Sequence, residues 1–223
     1  DLDRVRRLAL AALAPPKQAD ETTLIAAAGD PDGQVRRLAL VAMAAAPPAL
    51  VREAARTVLI RTALADPDAL VRYEALRIHA RSLVGAFADW APVFAAVDDA
   101  SPHVALFAID LIGGPQPEQA RAIGILQREA AALPAEAPAT VDWHRAAHAL
   151  VSLARAAPAE ASALLPRFEA SAHWPVRMYA ARAAARLRNA ESLTRLARDE
   201  RDNVREAAIA GLKTVAGHDA DSL

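Results

Sequence analysis

The sequence predicts an all-helical chain built from one repeated helix–turn–helix unit, and three observations carry that expectation. Of the 223 residues 60 are Ala, only 8 are Gly, and aromatics make up 4%. Ala is the strongest helix former, and the vocabulary of β-sheets is thin. A five-residue frame recurs seven times along the chain. Acidic residues and turn formers stand before several of those frames, which is the pattern of helix starts.

The frames are Val5-Arg6-Arg7-Leu8-Ala9, Val35-Arg36-Arg37-Leu38-Ala39, Val71-Arg72-Tyr73-Glu74-Ala75, Val104-Ala105-Leu106-Phe107-Ala108, Trp143-His144-Arg145-Ala146-Ala147, Val176-Arg177-Met178-Tyr179-Ala180 and Val204-Arg205-Glu206-Ala207-Ala208. All seven close on Ala, six open with Val, and five follow that Val with Arg. Openings are spaced by 30, 36, 33, 39, 33 and 28 residues. The first, fifth and eighth or ninth positions fall on one helical face. The sixth is apolar too in Leu10, Leu40, Leu76, Ile109 and Ile209. Ala at the fifth position leaves a shallow surface that lets a neighbouring helix come close. The start signals are Asp30-Pro31-Asp32-Gly33, Asp66-Pro67-Asp68, Asp99-Ala100-Ser101-Pro102 and Asp199-Glu200-Arg201-Asp202.

A second set of helices precedes the frames, expected at about 20–28, 48–65, 88–98, 115–133, 158–170 and 190–198. Pro47-Pro48, Gly113-Gly114-Pro115, Pro158 and Asn189 mark their starts. About 13 helices result. They form one array over 1–223, with repeats near 1–15 (its second helix only), 16–47, 48–84, 85–114, 115–157, 158–189 and 190–217. The irregular stretch Pro134-Ala135-Glu136-Ala137-Pro138-Ala139-Thr140 is expected to be an extended loop inside the widest repeat. The chain opens mid-repeat without Met, and Gly217-His218-Asp219-Ala220-Asp221-Ser222-Leu223 reads like the start of another first helix. The expectation is a segment of a longer polypeptide whose exposed repeat ends self-associate.

The Asp-Pro-Asp-x-x-Val-Arg-x-x-Ala pattern of 66–75 resembles the second-helix signature of HEAT repeats, the short bacterial type, over essentially all of 1–217. That resemblance implies a right-handed α-solenoid of about seven repeats, related in architecture to armadillo arrays. It implies that second helices line the concave face, and that Arg6, Arg36, Arg72, Arg177 and Arg205 form a structural ladder with Asp side chains of neighbouring repeats. Residues 174–184 and 202–209 also resemble bacterial HEAT arrays joined to a cyclophilin-type peptidyl-prolyl isomerase domain, which these residues do not contain.

Several function classes fall away. Cys is absent, so neither a disulfide framework nor a Cys-ligated zinc site is available. No apolar run approaches the ~18 residues that span a bilayer. A net charge of −1 with a pI near 6.7 argues against nucleic-acid binding, which draws on phosphate neutralisation. HEAT-like alkylpurine DNA glycosylases use Trp and Asp on a basic concave face. Trp90 and Trp143 have Asp89 and Asp142 beside them, but Trp143 stands at a frame opening, and Trp90 and Trp174 lie near helix starts. A bilin lyase-like activity rests on the repeat signature alone. His144 and His148 have metal-ligand spacing on one helix, but the residues between them are Arg-Ala-Ala, so the Glu of a His-Glu-x-x-His site is missing, and packing is the reading adopted. Phosphate loops, dinucleotide fingerprints and nucleophile elbows are absent. No catalytic, cofactor-binding or metal-binding residue is assigned.

What remains is a non-catalytic scaffold for a protein or peptide. The third and seventh positions of the second helices should face inward, and they hold Arg7, Arg37, Tyr73, Arg77, Arg145, Met178 and Arg182, with Arg81 and Arg186 one turn on. Acids there are Asp110 and Glu206. Guanidinium forks match carboxylates and phosphates, so the expected partner is acidic or phosphorylated, with Tyr73 and Met178 as apolar anchors. Of the 26 basic residues only Lys17 and Lys213 are Lys, a bias that genome composition explains.

Overall fold

The computed structural model describes residues 4–8, 20–47, 49, 51–85, 88–134 and 143–216. Ordered structure among them is entirely helical: α1 (residues 4–8), α2 (Glu21–Ala28), α3 (Gly33–Ala45), α4 (Glu53–Ala63), α5 (Ala69–His79, followed by a 3-10 turn at Ala80–Ser82), α6 (Ala91–Ala96), α7 (Pro102–Ile112), α8 (Gln119–Ala131), α9 (His144–Ala156), α10 (Pro158–Glu169), α11 (Trp174–Arg186), α12 (Ala190–Leu196) and α13 (Asp202–Ala216). Each odd-numbered helix carries a frame. The expected loop at 135–140 and the terminal stretch 217–223 lie outside the described residues, as do Ala9 and Leu10 of the first frame.

Helix starts follow the acids. Asp32 accepts from the Gln34 and Val35 amides, and Asp68 from those of Leu70 and Val71, each satisfying donors that the first helical turn leaves unpaired. Asn189 caps α12 through Ser192 N, and Pro158 opens α10. The turn between α11 and α12 closes with Asn189 N donating to Ala184 O at 2.9 Å and Arg188 N to Ala185 O at 3.2 Å. This closure requires a left-handed residue, and Arg188 takes that place with φ 55 instead of the usual Gly.

The chain forms two compact units, Asp1–Val104 and Ala105–Leu223. In the first, α3 packs on α2, α4 and α5 around Leu24, Val35, Leu40, Met43, Val71 and Ile78. In the second, α9 packs on α11 and α11 on α13, while α8, α10 and α12 back that row. Its centre holds Leu126, Leu150, Leu153, Leu165, Phe168 and Leu193.

Fifth-position Ala is the geometric key. Ala39, Ala75, Ala108, Ala147, Ala180 and Ala208 are all buried, because a larger side chain there would push the next helix away. Glycine does the same at two further crossings. A Cβ on Gly113 would stand 2.6 Å from Ser152 Cβ, and one on Gly211 would stand 2.7 Å from Leu193 Cδ2. Two frame residues depart from the pattern. Val5 is 63% exposed and Ile209 46%, and no described helix covers either.

Candidate functional site

A repeated rung connects successive frames within each unit. In the first unit Arg36 Nε and Nη2 both donate to the Asp66 carboxylate at 2.7 Å. Arg72 grips Asp99 the same way at 2.8 and 2.7 Å, and Arg6 Nε lies 2.8 Å from Asp30 Oδ2. In the second unit Arg177 holds Asp199 at 2.6 and 2.9 Å. The remaining guanidinium nitrogen turns back onto main-chain carbonyls, Asp30 and Pro31 for Arg36, Asp66 and Pro67 for Arg72, Ser171 and Ala172 for Arg177. The carboxylate in turn accepts from the amide two residues on, at Asp32, Asp68, Ser101 and Arg201. One rung thus ties a frame helix, its own entry turn and the next entry turn. Arg205 donates to Asp199 O at 2.8 Å and to the Asp202 side chain.

The acids respond electrostatically. Hydrogen bonding from Arg72 holds the Asp99 carboxyl below the ordinary carboxylate range against burial, and Arg177 does so for Asp199. At Asp66 burial pushes upward, and Arg36 with the Asp68 amide more than offsets it. The rungs have no arginine in α7 and α9, where Ala105 and His144 fill the second position.

Most inner-face arginines named from sequence are occupied. Arg7 lies 3.5 Å from Asp32, and Arg37 Nε donates to Gln34 at 3.1 Å. Arg77 clamps buried Glu74 at 2.5 Å. Arg145 Nε donates to Glu129 at 2.9 Å, and Arg128 shares that acid. Burial pushes the Glu129 carboxyl up, and the two arginines bring it below its ordinary value. Tyr73 is half-buried on α5, and Arg81 lies in the 3-10 turn after it.

The second unit is different. There α7, α9, α11 and α13 enclose an open groove of about 1050 Å³. Met178, Tyr179, Arg182 and Arg186 line it from α11, and Val151, Ser152, Arg155 and His148 from α9. From α13 come Asn203, Glu206, Ala207 and Ala210, and from α7 Asp110. Arg155, Arg182 and Arg186 are exposed, and no described carboxylate lies within ion-pair distance of them.

Arg182 is nonetheless held in place. Its guanidinium sits 4.7 Å from the centre of the Tyr179 ring. The Tyr179 hydroxyl is 2.9 Å from His148 Nε2, and His148 Nδ1 is 2.9 Å from Asp110 Oδ1. Carboxylate, imidazole, phenol and guanidinium therefore form one chain along the groove wall. With the carboxylate accepting from Nδ1–H, the bare Nε2 accepts a hydrogen bond donated by the Tyr179 hydroxyl. Trp143 stacks on His144 at 3.9 Å and meets the Tyr179 ring edge-on at 5.8 Å, buttressing the same wall. Trp90 is buried in the first unit.

Of the residues named from sequence, the groove gathers Met178 and Arg182, with Arg186, Asp110 and Glu206. It omits Arg145, because α9 presents its sixth and tenth frame positions (His148 and Ser152) where α11 presents its third, seventh and eleventh. Arg155, Tyr179 and Asn203 were missed for that reason or because they lay just off the stripe. The Arg182–Arg186 spacing of four was the one legible signal. Among the described residues no cluster of three metal-ligating side chains occurs, and no helix is long and apolar enough to cross a membrane.

No family model matches the sequence, and no curated protein does. Solved structures do match. A designed armadillo repeat protein in complex with the peptide (KR)4 is similar over 88% of this chain and 100% of its own, with 19% identity and a TM-score of 0.53. A further engineered protein covers 88% of this chain and 98% of its own at 19% identity and a TM-score of 0.52. A second designed armadillo repeat protein matches with 19% identity, 88% and 100% coverage, and a TM-score of 0.50. The fold is an armadillo-like helical-repeat solenoid. Within each unit the frame helices pack side by side, and the fifth-position Ala and the Arg–Asp rungs hold them together.

Proposed function

We propose that this solenoid is a non-catalytic scaffold that binds an acidic segment of a partner protein along the inner groove of its second unit. The observation that carries this reading is the trio of guanidiniums there without ion-pair partners, beside apolar walls from Val151, Met178 and Ala207. A designed neighbour of the same fold was solved with a basic peptide, (KR)4. In this chain the groove itself carries the basic groups, so complementarity calls for acids in the ligand. Apolar walls with a few charged groups suit an extended peptide whose side chains alternate between anchor and acid. In the first unit Arg7, Arg37 and Arg77 already engage Asp32, Gln34 and Glu74, so the proposed surface is confined to the second unit.

Selection of random peptides displayed on phage against the immobilised chain tests this. Recovered peptides should be rich in Asp and Glu, and an Arg182→Glu, Arg186→Glu variant that keeps the wild-type helical signal should not retain them. Recovery of basic or purely apolar peptides, or equal retention by the variant, would refute the reading.

A further inference from the structure

The groove carries more guanidiniums than a single acidic side chain can use. A carboxylate offers two oxygens and one charge, which one guanidinium fork satisfies. Arg155, Arg182 and Arg186 line the same groove with no described carboxylate on any of them, and Asn203 belongs to the same lining. Arg182 and Arg186 are one turn apart on α11 and so project from the same face. The acids nearby do not cancel this set. Asp110 and Glu206 are the carboxylates on the lining, the first hydrogen-bonded to His148, and neither lies within ion-pair distance of the three guanidiniums.

We infer that this cluster takes a phosphoryl group on the bound peptide, a phosphoserine or phosphothreonine side chain. The inference rests on the peptide-groove reading above and narrows it. A phosphoryl group brings about two negative charges and three acceptor oxygens, which matches forks arriving from two helices. Preorganisation supports the assignment. Arg182 lies against the Tyr179 ring, Tyr179 is bonded to His148, and His148 to Asp110, so the guanidinium meets the ligand without first giving up a large rotamer freedom. Tyr179, His148 and Asp110 are positioning residues in this arrangement. Elsewhere on the inner face the same guanidiniums are consumed within the fold, as Arg77 is by Glu74 and Arg145 by Glu129.

Three degenerate nonapeptide libraries test it, identical except that the central residue is phosphoserine, Glu or Ser. Each is passed over the immobilised full chain and the retained fraction measured. The phosphoserine library should be retained about tenfold more strongly than the Glu library, the factor that a further set of charge-assisted bonds supplies. Arg182→Gln and Arg155→Gln should each weaken retention of both charged libraries but lower the phosphoserine library several-fold more than the Glu library, so that most of the advantage disappears, while Arg182→Lys should recover only part of it, because an ammonium cannot fork. Retention of phosphoserine no greater than Glu would overturn the phosphoryl assignment and leave the acidic-peptide reading standing. Retention of none of the three would remove that reading itself. An advantage that persists in the Arg155→Gln, Arg182→Gln double variant would place the phosphate elsewhere and overturn the inference.

Discussion

Replacing Asp199 with Ala removes the acceptor of the most buried rung. Side-chain exposure is 11% for Arg177 and 8% for Asp199. Three bonds to the carboxylate are lost, two from Arg177 and one from the Arg201 amide. Hydrogen bonds to charged groups contribute about 1.5–3 kcal/mol each, and removing one partner of a buried pair costs about 3–5 kcal/mol. Here Arg177 keeps the Ser171 and Ala172 carbonyls and can lean on exposed Glu200, so the expected loss is about 3 kcal/mol. In urea that moves the midpoint down by roughly 1–2 M with an unchanged slope, and in a thermal scan it lowers Tm by about 6–12 °C. The sign with pH follows from the lowered carboxyl. Stability from a depressed carboxyl is fully present above its unfolded value, near ~3.9, and is lost as pH falls through the folded value. The deficit of the Ala variant should therefore be full at pH 7 and shrink as pH drops below ~4. A loss under about 1 kcal/mol at pH 7, or a deficit that grows on acidification, would refute the view that the rungs are buried structural pairs.

Other outcomes follow from single sites. Gly113→Ala places a Cβ 2.6 Å from Ser152 Cβ and 2.9 Å from its Cα, so overpacking of about 2 kcal/mol is expected in denaturant unfolding. Arg188→Gly relieves a left-handed arginine but gives up its bond to Val215 O, and a gain of about 0.5 kcal/mol is expected from the same measurement. Tyr179→Phe keeps the ring under Arg182 and removes the bond to His148, for a loss of about 1 kcal/mol by calorimetry. Asp66, Asp99 and Glu129 are lowered as Asp199 is, so acid titration by circular dichroism should show cooperative loss of helix only below the usual carboxylate range.

The architecture was legible because its causes are local and periodic. Val at the opening, Ala at the fifth position and Asp before the entry turn are each read directly from spacing, and the helices fall within a few residues of the expected spans. The groove was legible only in part. Arg182 and Met178 lie on the regular stripe, whereas His148 and Arg155 stand at the sixth and thirteenth positions of their frame, off that stripe. Nor could spacing tell a committed guanidinium from an open one: Arg77 and Arg182 occupy equivalent positions, and only the neighbour, Glu74 against Met178 and Tyr179, separates them. Ala122, Ala149, Ala161 and Ala184 are also fully buried, so close helix packing uses Ala beyond the fifth position as well.

Mapping amide resonances of the 15N-labelled chain during titration with the peptide (Glu-Leu)4 tests the groove assignment most directly. The account expects shifts concentrated on Val151, Arg155, Arg182, Arg186, Ala207 and Ala210, weakening steeply with added salt. Shifts confined to α8, α10 and α12, or no saturable shift at millimolar peptide, would contradict it.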